Sequence, residues 1–204
     1  MPLVAVAPAR VERWVTNFES RHGRTVLSVA GGALHGVAED GSTFAARLPF
    51  AQEYAGGPVP RALAAAAGPP ADWGVLLVRK GGFAVARVAG EELSAHKVGR
   101  RHVQGRTKAG GWSQQRFARR RANQAREAYE AAADHAARVL AGLDGPLVTG
   151  GDHAAVGEVL ADARLAGLSV VEPWLAVPEP RRETLDQAVR DAAAVRIEVH
   201  NAGS

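Results

Sequence analysis

The chain has 204 residues, 47% of them hydrophobic, a formal net charge of +4 and no cysteine. That length fits one medium domain or one domain with a small appendage, with enough chain for a core that needs no covalent staples. The cysteine count excludes disulfides, thiolate nucleophiles and Cys-based metal centres, and no window approaches 18 uninterrupted apolar residues, so no transmembrane helix is expected. The start, MPLVAVAPARVERW, lacks a charged n-region and a long apolar h-region; it is read as no signal peptide, and a cytoplasmic protein is expected.

Residues 9–22 place Val11, Trp14, Val15 and Phe18 at helical spacing, which predicts an amphipathic helix ended by Gly23. Three short strands are expected over residues 24–48, with Gly31-Gly32 and Asp40-Gly41 as turns. Together residues 1–60 read as a small N-terminal α+β unit. Residues 61–72 are rich in Ala, Gly and Pro and are expected to be a linker; a short helix over Arg61–Ala67 is broken by Gly68-Pro69-Pro70.

A second pattern begins at Trp73 and is expected to form one domain to residue 204. GVLLVRK, FAVARVAG and EELSAHKVGRR predict a three-stranded meander. A mobile loop is expected over residues 102–114, where Gly105, Gly110 and Gly111 stand without an apolar period. Helix follows from about Gln114 to Leu140. Then come a strand (GPLVTGG), a helix capped by Asp152 and stopped by Gly167, a strand (SVVEPWLAV), a helix (PEPRRETLDQAVRDAAA) and a last strand (VRIEVHN). This order predicts a mixed α/β domain, its mixed sheet flanked by helices. Trp14, Trp73 and Trp174 are expected in the core, and Gly81-Gly82 and Gly150-Gly151 as turns.

Charge is concentrated in one place. Residues 93–126 hold ten of the 25 Lys/Arg and none of the 21 Asp/Glu, leaving 15 cations against 21 anions in the rest of the chain. Arg100, Arg101, Arg106, Lys108, Arg116, Arg119, Arg120, Arg121 and Arg126 are candidate RNA contacts, since such a cluster is an electrostatic footprint for a polyanion. A solvated helix face is the bland alternative. However, such a face interleaves acids, as this helix does later at Glu127, Glu130 and Asp134. Arginine predominates over lysine, which suits forked phosphate contacts and stacking on bases.

Within the stretch, Gly110-Gly111 permits positive φ and close approach of another molecule. Gln114 and Gln115 stand at or just before a helix N-terminus, where unpaired N–H groups favour an anion or a developing oxyanion. An amide is a poor base, but it can hold a water while donating to a carbonyl. A cationic, glycine-tipped loop carrying an amide suits hydrolysis of an ester on RNA. Trp112 either stacks on a base or pins the loop to the body.

The run Lys108-Ala-Gly-Gly-Trp-Ser-Gln-Gln-Arg-Phe-Ala-Arg-Arg-Arg121 resembles the Gly-Gly-Gln loop and following helix of the middle domain of eukaryotic and archaeal peptide-chain release factors. The hairpin from Trp73 and the strand–helix order after Leu140 extend the resemblance over roughly residues 73–195. Release factors place Gln directly after the two glycines. Here that position is Trp112, and Gly111-Trp112-Ser113-Gln114 forms a Gly-x-x-Gln arrangement. In this the chain is similar to the release-factor-like peptidyl-tRNA hydrolases of ribosome quality control, as a bacterial branch. The resemblance implies a ribonuclease-H-like or ribosomal-protein-like sheet and a peptidyl-tRNA hydrolase that frees nascent peptide on stalled or split large ribosomal subunits. It makes Gln114 the catalytic amide, with Gln115 as the alternative one residue on, and gives Gly110 and Gly111 the reach. Its partners would be the large subunit, rRNA and peptidyl-tRNA, with the protein a monomer and no membrane involved.

His96, His102, His135 and the Asp152-His153 pair show no HxxxH or HExxH spacing, so neither a metal nor another cofactor is expected. Ser113 lacks a G-x-S-x-G elbow. The competing readings are a non-catalytic rRNA- or tRNA-binding module and a ribosome assembly factor.

Overall fold

A computed structural model describes residues 2–100 and 112–203, the side chains of residues 112–125 excepted. In chain order its elements are β1 (Leu3–Val6), α1 (Val11–His22), β2 (Thr25–Ala30), β3 (Ala33–Ala38), β4 (Thr43–Arg47), α2 (Pro60–Ala66), β5 (Trp73–Arg79), β6 (Gly82–Ala89), β7 (Glu92–Arg100), α3 (Trp112–Val139), β8 (Pro146–Gly151), α4 (His153–Leu160), β9 (Ser169–Leu175), α5 (Arg182–Ala192) and β10 (Val195–His200). Short 3-10 turns cover Pro8–Arg10 and Ala163–Leu165. The chain divides into two units, Met1–Pro69 with Val189–Ser204, and Pro70–Ala188.

The first unit is an antiparallel sheet in the order β1-β10-β4-β3-β2. Its inner face meets the apolar stripe of α1: Val11, Val15 and Phe18 join Leu34, Phe44 and Ile197 in one buried cluster. Gly23 ends α1 at φ 90°, donating its N–H to Glu19 O. Trp14 is only half-buried, edge-on to Phe44 at 5.2 Å.

Three expectations change here. The last strand was expected in the second domain, yet β10 lies between β1 and β4, with Val6 opposite Val195 and Ile197 opposite Ala46. The alternation Val195, Ile197, Val199 fits a half-buried antiparallel strand, and alternation alone does not name the sheet. MPLVAV, read as an apolar run before a helix, contains an edge strand. Residues 61–72 are not a plain linker, because Leu63 of α2 and Ala67 are fully buried in the first unit's core.

The second unit has the predicted mixed sheet, in the order β7-β6-β5-β8-β9. β5, β6 and β7 form the antiparallel meander, while β8 and β9 join in parallel. Residues 73–78 of β5 are buried on both faces, as their unbroken apolar run requires of a central strand. On one face Leu76, Val78, Phe83 and Val85 meet the alanine-rich side of α3 and the apolar positions of α4. Ala132, Ala133 and Ala136 let the helix lie close to the sheet and are good helix formers.

Trp73 is buried and donates its indole N–H to Gly90 O at 2.9 Å, whereas Trp174 is half-buried and stacks on His153 at 3.5 Å. Gly150 and Gly151 are strand residues rather than a turn: a Cβ at either would come within 2.3 Å of the carbonyl oxygen of Leu175 or Val78. The helix expected over residues 152–167 ends at Leu160, because Asp162 caps a separate 3-10 turn by accepting from Arg164 N. Asp152 does cap α4, accepting from Ala155 N at 3.1 Å.

Candidate functional site

The candidate site lies where β7 ends and α3 begins. β5, β7, β8 and β9 all finish at the same edge of the second sheet, since β6 runs opposite to β5 and β7, and β8 and β9 are parallel to β5. β7 is held there by tight packing: a Cβ at Gly99 would sit 2.3 Å from the Phe83 ring, so glycine is required for that ring to lie against the strand. Arg100, the last residue of β7, pairs with Gly82 and is exposed.

Of the predicted site residues, Arg101, Arg106, Lys108, Gly110 and Gly111 lie outside the described residues, as does most of the expected loop. The loop's last three positions, Trp112 to Gln114, are instead the first residues of α3. Gln114 and Gln115 therefore belong to the first turn, whose backbone N–H groups have no intrahelical partner. That turn contains no acid to offset the positive end of the helix dipole. Arg116, Arg119, Arg120 and Arg121 follow on the same helix. Arg126 is exposed and makes an i,i+4 ion pair with Glu130 at 3.5 Å, of the kind worth only tenths of a kcal/mol.

α3 spans 28 residues. Among its described side chains, those packed on the core run from Tyr129 to Leu140, and Tyr129 lies about 22 Å along the helix from Gln114. The C-terminal end of α3 is tied down by Arg87, which grips Asp72 through two hydrogen bonds of 2.8 Å and donates to Ala141 O and Gly142 O. This clasp holds the Asp72 carboxyl below the usual carboxylate range. A second clasp, Arg164 to Asp134 and Asp162 at 2.7 Å each, joins α3 to the turn after α4. Hydrogen bonds from the Arg164 side chain and backbone bring the Asp162 pKa down to about 2.

Sequence reasoning passed over Arg79, Arg87, Tyr129 and the working environment of His135. They are scattered over β5, β6 and α3, and only the tertiary fold brings Arg79, Arg100, Tyr129 and His135 to one end of the sheet. Burial, then Asp152 and Glu158, raise the Tyr129 pKa, so its phenol stays protonated. Burial, then Arg138 and Lys97, lower that of His135, which favours the neutral ring. Arg138 donates to His135 Nδ1 at 3.1 Å, so the hydrogen of the neutral ring is on Nε2. Among the described residues no three His, Asp or Glu side chains gather as metal ligands, and no helix is long and apolar enough to cross a membrane.

Residues 71–198 match the family model described as Actinobacteria/chloroflexi VLRF1 release factor. The chain belongs to this family. The match takes in every element from β5 to α5 and the first four residues of β10, including the loop–helix junction. No curated protein matches the chain. VLRF1 membership makes this a bacterial release-factor-like protein of the ribosome rescue type, with a ribosome-associated release function in translation.

Proposed function

We propose that the protein is a peptidyl-tRNA hydrolase, releasing nascent peptide from tRNA on stalled or split large ribosomal subunits. The observation that carries this reading is the position of Gln114 in the first turn of α3, three residues after Gly111, within a chain of the VLRF1 release-factor family. The substrate is the ester between the peptide and the terminal adenosine of tRNA. Gln114 orients the attacking water, and the unpaired N–H groups of its helical turn stabilise the tetrahedral oxyanion. Orientation, rather than acid–base power, supplies the rate, a source worth up to roughly 7–11 kcal/mol in well-aligned systems.

Residues 70–188 form the catalytic unit. Arg100, Arg101, Arg106, Lys108, Arg116, Arg119, Arg120, Arg121 and Arg126 hold rRNA and tRNA phosphates, with Trp112 beside them. The protein acts in the cytoplasm as a monomer and needs no metal or other cofactor.

The test is single-turnover release of peptide from peptidyl-tRNA on purified large subunits. Gln114→Ala should slow release by about 100-fold or more, the scale seen when one oxyanion donor is removed, while subunit binding persists. Gln115→Ala should cost less than about tenfold on the same scale. Release by Gln114→Ala at the unmodified rate would remove the catalytic assignment. Subunit binding without any release by the parent chain would favour the non-catalytic RNA-binding module.

A further inference from the structure

Beneath α3, at the end of β5 and β7, lies a cavity of about 240 Å³. Val78, Phe83 and Ala132 make its wall apolar, while Arg79, Arg100, Tyr129 and His135 supply its polar groups. No Asp or Glu is among its lining residues. The volume is below the roughly 300–1,000 Å³ typical of sites for whole small molecules, so the occupant is small or only partly enclosed. Phe83 and His135 stack on each other at 5.4 Å with 24° between their planes. Arg79 is exposed and held in place by donating to Val177 O at 2.6 Å. Two exposed guanidinium groups over an apolar, ring-lined recess match a planar base joined to a phosphate.

We propose that this cavity takes one unpaired ribonucleotide of an RNA strand, its base against Phe83, Ala132 and His135 and its phosphate between Arg79 and Arg100. Charge complementarity favours RNA over a protein side chain. Arg100 both lines the cavity and belongs to the cation-rich run of residues 93–126. Tyr129, kept as a phenol, is a donor for a base carbonyl or ring nitrogen, and neutral His135 offers a second N–H. The cavity thus fixes one point on the RNA and sets where the amino end of α3 is delivered. The inference rests on the proposed action on RNA-borne substrates.

The full chain, labelled with ¹³C at alanine methyls, can be titrated with the four ribonucleoside 5′-monophosphates, with the four nucleosides, with inorganic phosphate and with a short unstructured RNA. Mononucleotides should shift the Ala131 and Ala132 methyl signals with roughly millimolar affinity, the range of one base contact plus one phosphate. The RNA should shift the same signals at lower concentration. Phosphate alone should leave both methyls in place. Ala131→Phe, which fills the cavity from the half-buried side of α3, should abolish the shifts and weaken RNA binding about tenfold, the scale of one stacked base. Arg100→Gln leaves the cavity open and should weaken nucleotides while sparing nucleosides.

Methyls that respond to neither nucleotide nor RNA, or shifts that survive in Ala131→Phe, would overturn the proposal. So would equal shifts with phosphate alone, which would mark a simple anion site. If Ala131→Phe does not fold, equal nucleotide affinity in Arg100→Gln and the parent chain would also refute it. Gln114-dependent release together with inert methyls would sink the cavity proposal alone. Release that ignores Gln114, with the nucleotide shifts intact, would sink only the catalytic reading.

Discussion

The two units carry their charge in opposite ways. Met1–Pro69 with Val189–Ser204 holds eight Lys/Arg and seven Asp/Glu, spread along its helices, strands and turns. Pro70–Ala188 holds 17 and 14, but ten of its cations lie within residues 93–126, so the rest of that unit has seven cations against 14 anions. A polyanion meets an even mixture on the first unit. On the second it meets an acidic body with one strongly cationic loop–helix. On the proposed reading that polarity would orient a bound RNA as well as attract it, because the acidic surface disfavours approach while the cation-rich stretch favours phosphates. Four of the seven other cations of the second unit are paired with carboxylates: Arg87 with Asp72, Arg164 with Asp134 and Asp162, Arg181 with Glu179 and Arg182 with Asp186.

The sharpest way to break this contrast is to remove the arginine cluster. Changing Arg119, Arg120 and Arg121 together to Ala should reduce the slope of log affinity against log salt, for large subunits, by about 2 to 3 and lower affinity about 100-fold near 0.1 M salt. Neutralising Arg13, Arg21 and Arg24 of the first unit should leave that slope unchanged. Equal effects of the two triples would mean that total charge, and not its placement, governs binding.

A smaller effect is expected from the clasp at the other end of α3. Arg87→Ala leaves Asp72 without its bidentate partner and two helix-end carbonyls without a donor. It should lower the midpoint of urea unfolding, because the Asp72 carboxylate and both carbonyls lose their donor together. Arg182→Ala, which removes an exposed i,i+4 pair with Asp186, should cost less than about 1 kcal/mol.

The smallest effect is on acid stability. The Asp162 pKa is lowered from 3.8 to about 2, so its contribution is present above the unfolded value and is lost as pH falls from about 4 to about 2. Carbon-detected titration of the Asp162 carboxyl should give a midpoint near 2, and Arg164→Ala should return it toward 3.8. A midpoint near 3.8 in the parent chain would mean that the clasp does not form in solution.

Much of this protein is legible from sequence, and the misses share one cause. Helix α1, the three strands after it, the β5–β7 meander and α3 follow from local period and punctuation. Gly23, the Asp40-Gly41 turn and the Asp152 cap mark their ends. What sequence misplaced depends on pairing over distance. β10 reads correctly as a strand, but its neighbours are β1 and β4, about 190 and 150 residues earlier in the chain. α2 reads as a breakable helix in a linker because its seven residues, four of them Ala, carry little periodic signal, yet Leu63 is fully buried. Gly150-Gly151 reads as a turn because paired glycines usually are turns. Here two carbonyl oxygens crowd the strand and leave no room for a Cβ.

The candidate site divides along the same line. Gly110, Gly111, Gln114, Gln115 and the arginines are neighbours in sequence, so the chemistry proposed for them rests on sequence alone. Arg79, Arg100, Tyr129 and His135 come from β5, β7 and α3, separated by up to 56 residues, and only the parallel and antiparallel sense of the strands gathers them. Sequence alone determined the charge distribution and the loop–helix motif on which the proposed chemistry rests, since those depend on residues close along the chain. Tertiary structure alone decided which sheet the last strand completes, how α3 is anchored and what cavity opens beneath it, since those depend on which distant residues share a surface.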